Sequence, residues 1–243
     1  MNYSGYIEWK RWKEKDFGQP GPGISFYFDQ IFKKVLIKKC KVLEIGFGNG
    51  GGMGYFRKKG HEIIGVEVND ALVKRARDLG YTTYAGFVWN IPELKSESFD
   101  LIAAFSVVEH MSYDDLNALF SWVRGHLKDD GRMCLQFPEG ASPFGLAYQN
   151  GDFTHATSLT KNKIEVLCEK NDLRLFSYED DLSSSNRLCS FGLIGKISLV
   201  MLQRYASLLR WIMRILFYPL QPELRLASTS IAIVTRAKVD PFK

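Results

Sequence analysis

A short apolar segment that ends in a turn rich in glycine is the part of this sequence most suggestive of chemistry. Residues 42–50 read VLEIGFGNG, with glycines at Gly46, Gly48 and Gly50 and a carboxylate at Glu44. Glycine permits positive φ angles and lets a ligand approach the backbone where a Cβ would collide. A turn that only joins a strand to a helix usually needs one glycine. The alternating glycines therefore predict a site for a nucleotide-type cofactor.

Two kinds of cofactor fit this glycine spacing. Gly46, Gly48 and Gly51 match the GxGxxG pattern of dinucleotide sites, and Glu67 follows at the distance typical of a ribose-binding carboxylate. An NAD-dependent oxidoreductase is therefore one interpretation. Glu44 favours S-adenosylmethionine, because a carboxylate at the turn would repel a pyrophosphate but suits a cationic sulfonium and accepts hydrogen bonds from an ammonium.

Three motifs, in this order, resemble the class I S-adenosylmethionine-dependent methyltransferases. They are VLEIGFGNG at 42–50, GVEVN at 65–69 and SFDLIAAFSVVEHM at 98–111. The resemblance extends over about residues 41–178. It implies an α/β fold, a Rossmann-like three-layer α/β/α sandwich with a seven-stranded, mostly parallel sheet whose last strand is antiparallel. It also implies that S-adenosyl-L-methionine lies over the carboxyl ends of the first strands.

The resemblance further implies a set of cofactor contacts. The methionine end of the cofactor is expected against the glycine turn, with Glu67 on the ribose hydroxyls. Phe87 or Trp89 is expected to stack on the adenine while the amide of Val88 donates to a ring nitrogen, although simple burial explains these aromatic residues equally well. The predicted cofactor-binding residues are Glu44, Gly46, Gly48, Gly50, Glu67, Phe87, Val88 and Ser106.

Two histidines are candidate bases. The resemblance places the segment from Ser106 to His110 beside the methyl group to be transferred, and His155 lies in a loop that many family members place over the active site. Each histidine also has a purely structural interpretation. His110 could fix the conformation of its own loop, and His155 could, together with Asp152, cap the loop in which both lie. Sulfonium methyl transfer needs little beyond positioning, and a base matters mainly for hydroxyl acceptors. The histidine pair therefore favours oxygen as the methylated atom.

Residues outside the common motifs point to the methyl acceptor. Loop 138–158 is rich in glycine, proline and polar residues and is too long for a mere connector. An aromatic N-terminus can close over a cofactor or stack on a sugar, although packing of a short helix also explains it. The predicted substrate contacts are Tyr148, Asp152 and Trp12. Some quinone-methylating members of the resembled family bind a metal through ExxEH. Here Ser106 stands at the first position, so no metal is predicted.

The elements that must position these groups fit one domain. A chain of 243 residues with 46% hydrophobic content can bury one large core. The predicted parts are an aromatic helical cap at 1–39, a cofactor-binding core at 40–180, a basic amphipathic helical insertion at 182–226, and the last strand with its tail at 227–243. Strands are expected at 62–68, 99–105, 133–137, 173–178 and 228–236, and a helix at 113–127 precedes a turn at 129–131.

The basic charge of the chain is concentrated in the insertion. Residues 182–222 contain no acidic residue but five basic ones, which equal the formal net charge of +5. Arginines at helical spacing, Arg204, Arg210 and Arg214, form a polar stripe and interrupt any run long enough to span a bilayer. Three roles fit: covering the sheet, docking on an anionic membrane surface through 191–220, or binding a partner. Nucleic acid is not expected as a partner, because these basic residues lie among Leu, Ile and Trp.

Cysteine usage and the N-terminus predict a cytoplasmic protein. The cysteines Cys40, Cys134, Cys168 and Cys189 form no CxxC pair and lie mostly among apolar residues, which is typical of core thiols. The first residues lack the apolar core of a signal peptide.

A finer resemblance concerns the acceptor. The EWKRW sequence at 8–12 and the arginine-rich apolar insertion resemble methyltransferases of bacterial surface-polysaccharide synthesis, such as O-antigen or capsule. This resemblance implies O-methylation of a sugar hydroxyl on a nucleotide-activated or lipid-linked glycan, at or near the inner face of the membrane. A small aromatic, lipid or quinone acceptor is the alternative. The sequence predicts no particular oligomeric state.

Overall fold

The computed structural model describes residues 10, 12–32, 39–181, 225 and 227–237, together with 201, 204, 205, 207–209, 211–213, 215 and 216. The strands are β1 Lys41–Ile45, β2 Glu62–Glu67, β3 Thr82–Ala85, β4 Phe99–Phe105, β5 Leu127–Pro138, β6 Leu173–Asp180 and β7 Thr229–Arg236. The helices are α1 Pro22–Phe32, α2 Gly51–Lys58, α3 Asp70–Asp78, α4 Tyr113–His126, α5 Gly145–Asn150 and α6 Lys161–Lys170.

One seven-stranded sheet organises the molecule, in the order β3-β2-β1-β4-β5-β7-β6. The first five strands pair in parallel, whereas β7 is antiparallel to both β5 and β6. This arrangement confirms the predicted mostly parallel sheet with an antiparallel last strand. The order reverses between β1 and β4, which both lie at the centre, and ligands of open α/β sheets bind above the carboxyl ends of strands at such a point.

Helices cover both faces of the sheet, which explains why its central strands are apolar throughout. Successive side chains of a strand point to opposite faces. In β1, Leu43 packs in one buried cluster with Phe120 of α4, and Val42 packs in the other with Phe28 of α1 and Phe56 of α2. Complete burial of an aromatic side chain such as Phe120 contributes about 1.5–3 kcal/mol. The three-layer sandwich is confirmed.

Local signals start the helices where the sequence predicts them. The side chain of Asn69 accepts a hydrogen bond from the amide of Ala71 and caps α3. Ser112 and Asp115 form a reciprocal capping box at the start of α4. These caps end the loops after β2 and β4, and so set the positions of the two segments that carry Glu67 and His110.

The secondary structure differs from the prediction in two places. The turn expected at 129–131 lies inside β5, as a bulge, because the pairing register with β4 shifts between Phe99↔Leu127 and Leu101↔Arg132. Gly131 allows this close approach, since a Cβ there would lie 2.9 Å from the carbonyl oxygen of Phe99. Loop 138–158 also contains the short helix α5, which polar and glycine-rich composition did not predict.

The segments at either end are described in part. Cys40, Cys134 and Cys168 are buried and free, as core thiols should be, while Cys189 and Trp9 lie outside the described residues. Most of the predicted insertion at 182–226 is also outside them, but its described residues between 201 and 216 are helical. Within the described part of the chain, no helix has the length and apolarity needed to cross a bilayer.

Candidate active site

The glycine turn lies directly after β1, at the centre of the sheet. The amide of Gly46 donates to the carbonyl oxygen of Val66 at 2.7 Å, and Gly46 itself has a φ of 67°. A Cβ on Gly46 would lie 2.2 Å from a methyl carbon of Val107. Both the backbone conformation and the closeness of the β4 loop therefore require glycine here. Gly48 and Gly50 have φ angles of 52° and 73°.

Glu44 is a buried carboxylate beneath this turn. It is 4% exposed, and within the described part of the chain its Oε2 has no hydrogen-bond partner. A Cβ on Gly52 would lie 2.2 Å from Oε1, so this glycine makes room for the carboxylate. Burial, with the nearby charge of Glu67, raises the pKa of Glu44 to about 8. An unpartnered acid on a cavity wall fits a ligand that brings a positive charge or an N–H donor.

Glu67 ends β2 and is tied to the backbone around it. Its Oε2 accepts from the amide of Gly48 at 3.1 Å, and its Oε1 accepts from the amides of Val68 and Asn69 at 2.8 and 3.1 Å. Burial still raises the pKa of Glu67 despite these amide donors. A carboxylate has about four acceptor positions. Because three are used, Glu67 has room for one ribose hydroxyl without releasing an amide, rather than for both.

A cavity of about 920 Å³ opens over these residues. It brings together Glu44, Gly46, Gly48, Glu67, Phe87, Val88, Ser106, His110 and Trp12 from the sequence prediction. Gly50, His155, Tyr148 and Asp152 do not line it. Gly50 instead caps α2, and Tyr148 is 60% exposed on α5. The roles predicted for the residues inside and outside the cavity stay predictions.

The aromatic residues expected at the adenine are stacked on each other. The ring centroids of Phe87 and Trp89 are 4.8 Å apart with an interplanar angle of 13°. Phe87 is 38% exposed, while Trp89 is partly buried against the core. Of the two, Phe87 is therefore the more accessible to a ligand. Trp12 lies over the other end of the glycine turn, where a Cβ on Gly48 would be 2.9 Å from its ring.

The two candidate bases lie next to each other but differ in access. Their ring centroids are 4.6 Å apart in an edge-to-face arrangement, and only His110 lines the cavity. Nδ1 of His155 is hydrogen bonded to the carbonyl oxygen of Gln149 at 3.0 Å. Burial, together with the nearby His155, lowers the pKa of His110. His110 is therefore favoured as the neutral imidazole that a base requires.

Glu109 lies behind the histidine pair. It is 1% exposed, its Oε2 has no hydrogen-bond partner among the described residues, and burial raises its pKa to about 8. Potential ligand atoms of Glu109, His110 and His155 lie within 4.8 Å of one another. However, Nε2 of His155 is 3.9 Å from the Glu109 carboxylate, and Nδ1 of each histidine is engaged by the main chain. We assign no metal to this group, and the predicted absence of a metal remains a prediction.

A second polar wall of the cavity was missed by the sequence analysis. Ser106, a non-glycine residue with a φ of 53°, donates through Oγ to Oε1 of Gln136 at 2.8 Å. Nε2 of the Gln136 side chain and the hydroxyl of Tyr27 then both donate to Oδ2 of Asp181, at 3.4 and 3.2 Å. The sequence did contain one signal of this wall, because Gln136 is a polar residue at the carboxyl end of an apolar strand. Tyr27 and Asp181 carried none, because only folding brings α1 and the end of β6 to this wall.

The fold and the site together define a class of protein. A mostly parallel seven-stranded sheet with one antiparallel strand, and a cavity at the β1/β4 switch point with a buried unpartnered acid, is the arrangement expected of a class I methyltransferase. Residues 43–135 match the family model described as "Methyltransferase domain". The protein is a methyltransferase enzyme, and its cofactor is S-adenosyl-L-methionine.

Solved structures with the same fold are distant in sequence. An S-adenosylmethionine-dependent methyltransferase from Archaeoglobus fulgidus has a TM-score of 0.62 and 17% identity, covering 96% of this chain and 99% of that one. A magnesium protoporphyrin IX methyltransferase from Synechocystis PCC 6803, with bound S-adenosylhomocysteine, has a TM-score of 0.57 and 12% identity, over 97% and 96%. These likenesses concern the fold alone. A comparison with curated proteins finds no significant match.

Proposed function

We propose that this methyltransferase methylates a hydroxyl oxygen of a sugar, on a bacterial surface glycan or its precursor. The observation that carries the proposal is the lining of the cavity beyond the glycine turn. There Ser106, Gln136, Tyr27 and Asp181 form one polar wall, and His110 lines the same cavity. Amide, hydroxyl and carboxylate groups match the mixed donors and acceptors of a hydroxylated ring.

The cofactor supplies a sulfonium methyl group, which is transferred by in-line displacement. The residues of this chain bind, orient and take up a proton. With the cofactor bound, Glu44 would offer its cation a buried carboxylate, and Glu67 would hold a ribose hydroxyl. His110 accepts the proton that the acceptor hydroxyl loses as its oxygen bonds to carbon. Positioning of this kind can supply about 7–11 kcal/mol of the barrier, and a base about a further 10²–10⁴-fold in rate.

The choice of a sugar rests on two further features. Trp12 lines the cavity as a flat aromatic surface on which a sugar face can stack. The motifs at the N-terminus and in the insertion also resemble those of surface-polysaccharide methyltransferases. A small aromatic or quinone acceptor is the second candidate, favoured by Ile24, Phe28 and Phe105, which also line the cavity.

An acceptor panel separates the two candidates. The purified protein is incubated with S-adenosylmethionine and, in parallel, with nucleoside diphosphate hexoses, methyl glycosides, catechol and a short-chain ubiquinol precursor, and release of S-adenosylhomocysteine is measured. The proposal expects turnover with at least one sugar and a loss of turnover in Gln136→Leu. Leu175→Met, in β6, serves as the matched control. Turnover with the phenolic compounds alone would overturn the sugar assignment.

We also infer contact with the inner face of a membrane through 191–220. The described helical residues there expose large apolar side chains: Met201, Tyr205, Leu208, Trp211, Ile215 and Leu216 are each more than half exposed. The surrounding sequence is basic and lacks acidic residues. Apolar burial and attraction to anionic lipid act together in such a helix.

Vesicle co-sedimentation tests this contact. The full chain should bind phosphatidylglycerol vesicles more strongly than phosphatidylcholine vesicles, and Trp211→Ala should weaken the binding. Phe176→Ala removes an aromatic residue that is also 52% exposed, but on β6, and should leave binding unchanged. Failure of the wild-type protein to bind either kind of vesicle would contradict the inference.

A further inference from the structure

Thr154 lies between a carboxylate and the histidine that lines the cavity. Its Oγ1 is 2.5 Å from Oδ1 of Asp152 and 2.9 Å from Nδ1 of His110. The main-chain carbonyl oxygen of Thr154 also lies 3.2 Å from the same nitrogen. Neither Thr154 nor this arrangement was expected from the sequence, because Asp152 and His155 looked like the functional residues of the loop.

We propose that Asp152 and Thr154 form a relay that holds the His110 proton on Nδ1, so that Nε2 is the nitrogen that accepts the proton of the acceptor hydroxyl. Thr154 is then a positioning residue: it lines the same cavity as His110, and its role in the transfer is to act through the His110 ring. This inference rests on the proposed function, since only a hydroxyl acceptor requires a base.

The direction of the relay follows from donor chemistry. An ionised carboxylate can only accept, so the Thr154 hydroxyl must donate its proton to Asp152. Burial raises the pKa of Asp152, but the hydrogen bonds from Thr154 and the nearby His155 and His110 together outweigh it and lower the pKa overall, which favours the ionised carboxylate. With its proton engaged, the hydroxyl oxygen is left to accept. A carbonyl oxygen is also only an acceptor, so both Thr154 oxygens near His110 require N–H at Nδ1.

The other ring nitrogen is suited to the reaction. Within the described part of the chain, Nε2 of His110 makes no hydrogen bond, and the residue lines the cavity. In the transfer, a lone pair of the acceptor oxygen forms the new C–O bond, the O–H bond breaks with its pair left on oxygen, and the C–S bond breaks with its pair left on sulfur. The proton goes to Nε2, giving an imidazolium whose Nδ1–H still points at Thr154.

The charges around His110 act in opposite directions on that imidazolium. Asp152 favours it, whereas His155 and Lys10 oppose it. Lys10 also lies 3.8 Å from the Asp152 carboxylate, and the buried carboxyl group of Glu109 adjoins His110 in the chain. The relay therefore adds what the surroundings do not supply: a fixed ring orientation and a fixed tautomer.

Nitrogen NMR of the histidine side chains tests the relay without any acceptor. The chain has four histidines, so ¹⁵N-labelled protein with S-adenosylhomocysteine gives few imidazole signals, and loss of a signal in His110→Gln assigns His110. Above neutral pH, the proposal expects a protonated Nδ1 and an unprotonated Nε2. Thr154→Val keeps the main-chain acceptor at 3.2 Å but removes the nearer hydroxyl, so it should increase the fraction of His110 with its proton on Nε2, and Thr154→Ser, which keeps the hydroxyl, should restore the wild-type signals.

Phe153→Ala is the matched control in the same loop, because Phe153 is fully exposed. It should leave the His110 signals unchanged. A wild-type His110 with its proton on Nε2, or a Thr154→Val variant with unchanged signals, would overturn the relay. With an active acceptor, Thr154→Val should lower kcat on the order of tenfold or more while KM changes little, and Thr154→Ser should recover it. If no hydroxyl compound is methylated but the tautomer is as stated, the proposed function fails, and only the part of the inference that concerns the Nδ1–H tautomer stands.

Discussion

The carboxylate of Glu67 and the amide of Gly48 are joined by a hydrogen bond of 3.1 Å, which ties the end of β2 to the glycine turn after β1. The residue that the sequence predicts to bind ribose therefore also shapes the turn that is predicted to receive the rest of the cofactor. Removing it should affect binding in two ways, by losing a ribose partner and by loosening the turn.

For Glu67→Ala, we expect S-adenosylmethionine affinity to fall by about 1–3 kcal/mol, since a buried charged acceptor is lost. Isothermal titration calorimetry with S-adenosylmethionine and S-adenosylhomocysteine measures this change in binding free energy. Glu62→Ala, at the exposed start of the same strand, should bind normally because its ion pair with Lys41 is at the surface. Wild-type affinity in Glu67→Ala would remove Glu67 from the cofactor site.

Gly46→Ala should both destabilise the protein and abolish cofactor binding. The substituted residue would have a positive φ and a Cβ only 2.2 Å from Val107. Gly60→Ala separates these two costs, because Gly60 has a φ of 82° with nothing within 4 Å of an added Cβ. We expect the free energy of unfolding, measured with urea, to fall by about 1–2 kcal/mol in Gly60→Ala. The fall should be larger in Gly46→Ala. Equal losses in the two variants would show that Val107 does not crowd this position.

Buried acids should make the cofactor-free protein less stable as pH rises. The pKa of Glu44 and that of Glu109 are both raised from 4.5 to about 8. Between these pH values the folded state holds protons that the unfolded state has released, so the free energy of unfolding falls with increasing pH. Thermal unfolding across this range should show the fall, and Glu44→Gln should reduce its slope. A melting temperature that rises over the same range would contradict the assignment.

Affinity for the cofactor should change in the opposite sense. A cationic ligand favours the ionised form of Glu44, so binding of S-adenosylmethionine should strengthen as pH rises toward 8. Titrations at several pH values measure this trend. In Glu44→Gln the trend should flatten; an unchanged pH dependence in that variant would assign it to another group.

The two histidines should differ in their effect on turnover. His110 lines the cavity, whereas His155 lies beside it with Nδ1 on the main chain. We expect His110→Gln to lower kcat by about 10²–10⁴-fold with little change in cofactor affinity. His155→Gln should lower kcat much less and act mainly on thermal stability. A larger kcat loss in His155→Gln than in His110→Gln would exchange their roles.

The cofactor half of the site was determined largely by local sequence. Glu44, the three alternating glycines, Glu67 and the cap at Asn69 lie within one β-α-β stretch, where steric limits on φ and the spacing of a strand and a helix act over a few residues. The mostly parallel sheet and its antiparallel last strand were implied by the resemblance that these motifs carry, whereas the order of the strands was not predicted. Local patterns failed at the bulge in β5 and at α5, because register and short helices depend on contacts made elsewhere.

The wall that we propose for the acceptor was decided only by the tertiary structure. Tyr27, Gln136 and Asp181 are more than 40 residues apart in sequence at each step, yet hydrogen bonds join them on one wall of the cavity. His110 and Thr154 are separated by 44 positions and meet because the loop after β5 folds back over the loop after β4. No spacing rule predicts such pairs. They arise because the parallel sheet brings the carboxyl ends of distant strands to one edge, where polar side chains must find partners within the buried wall.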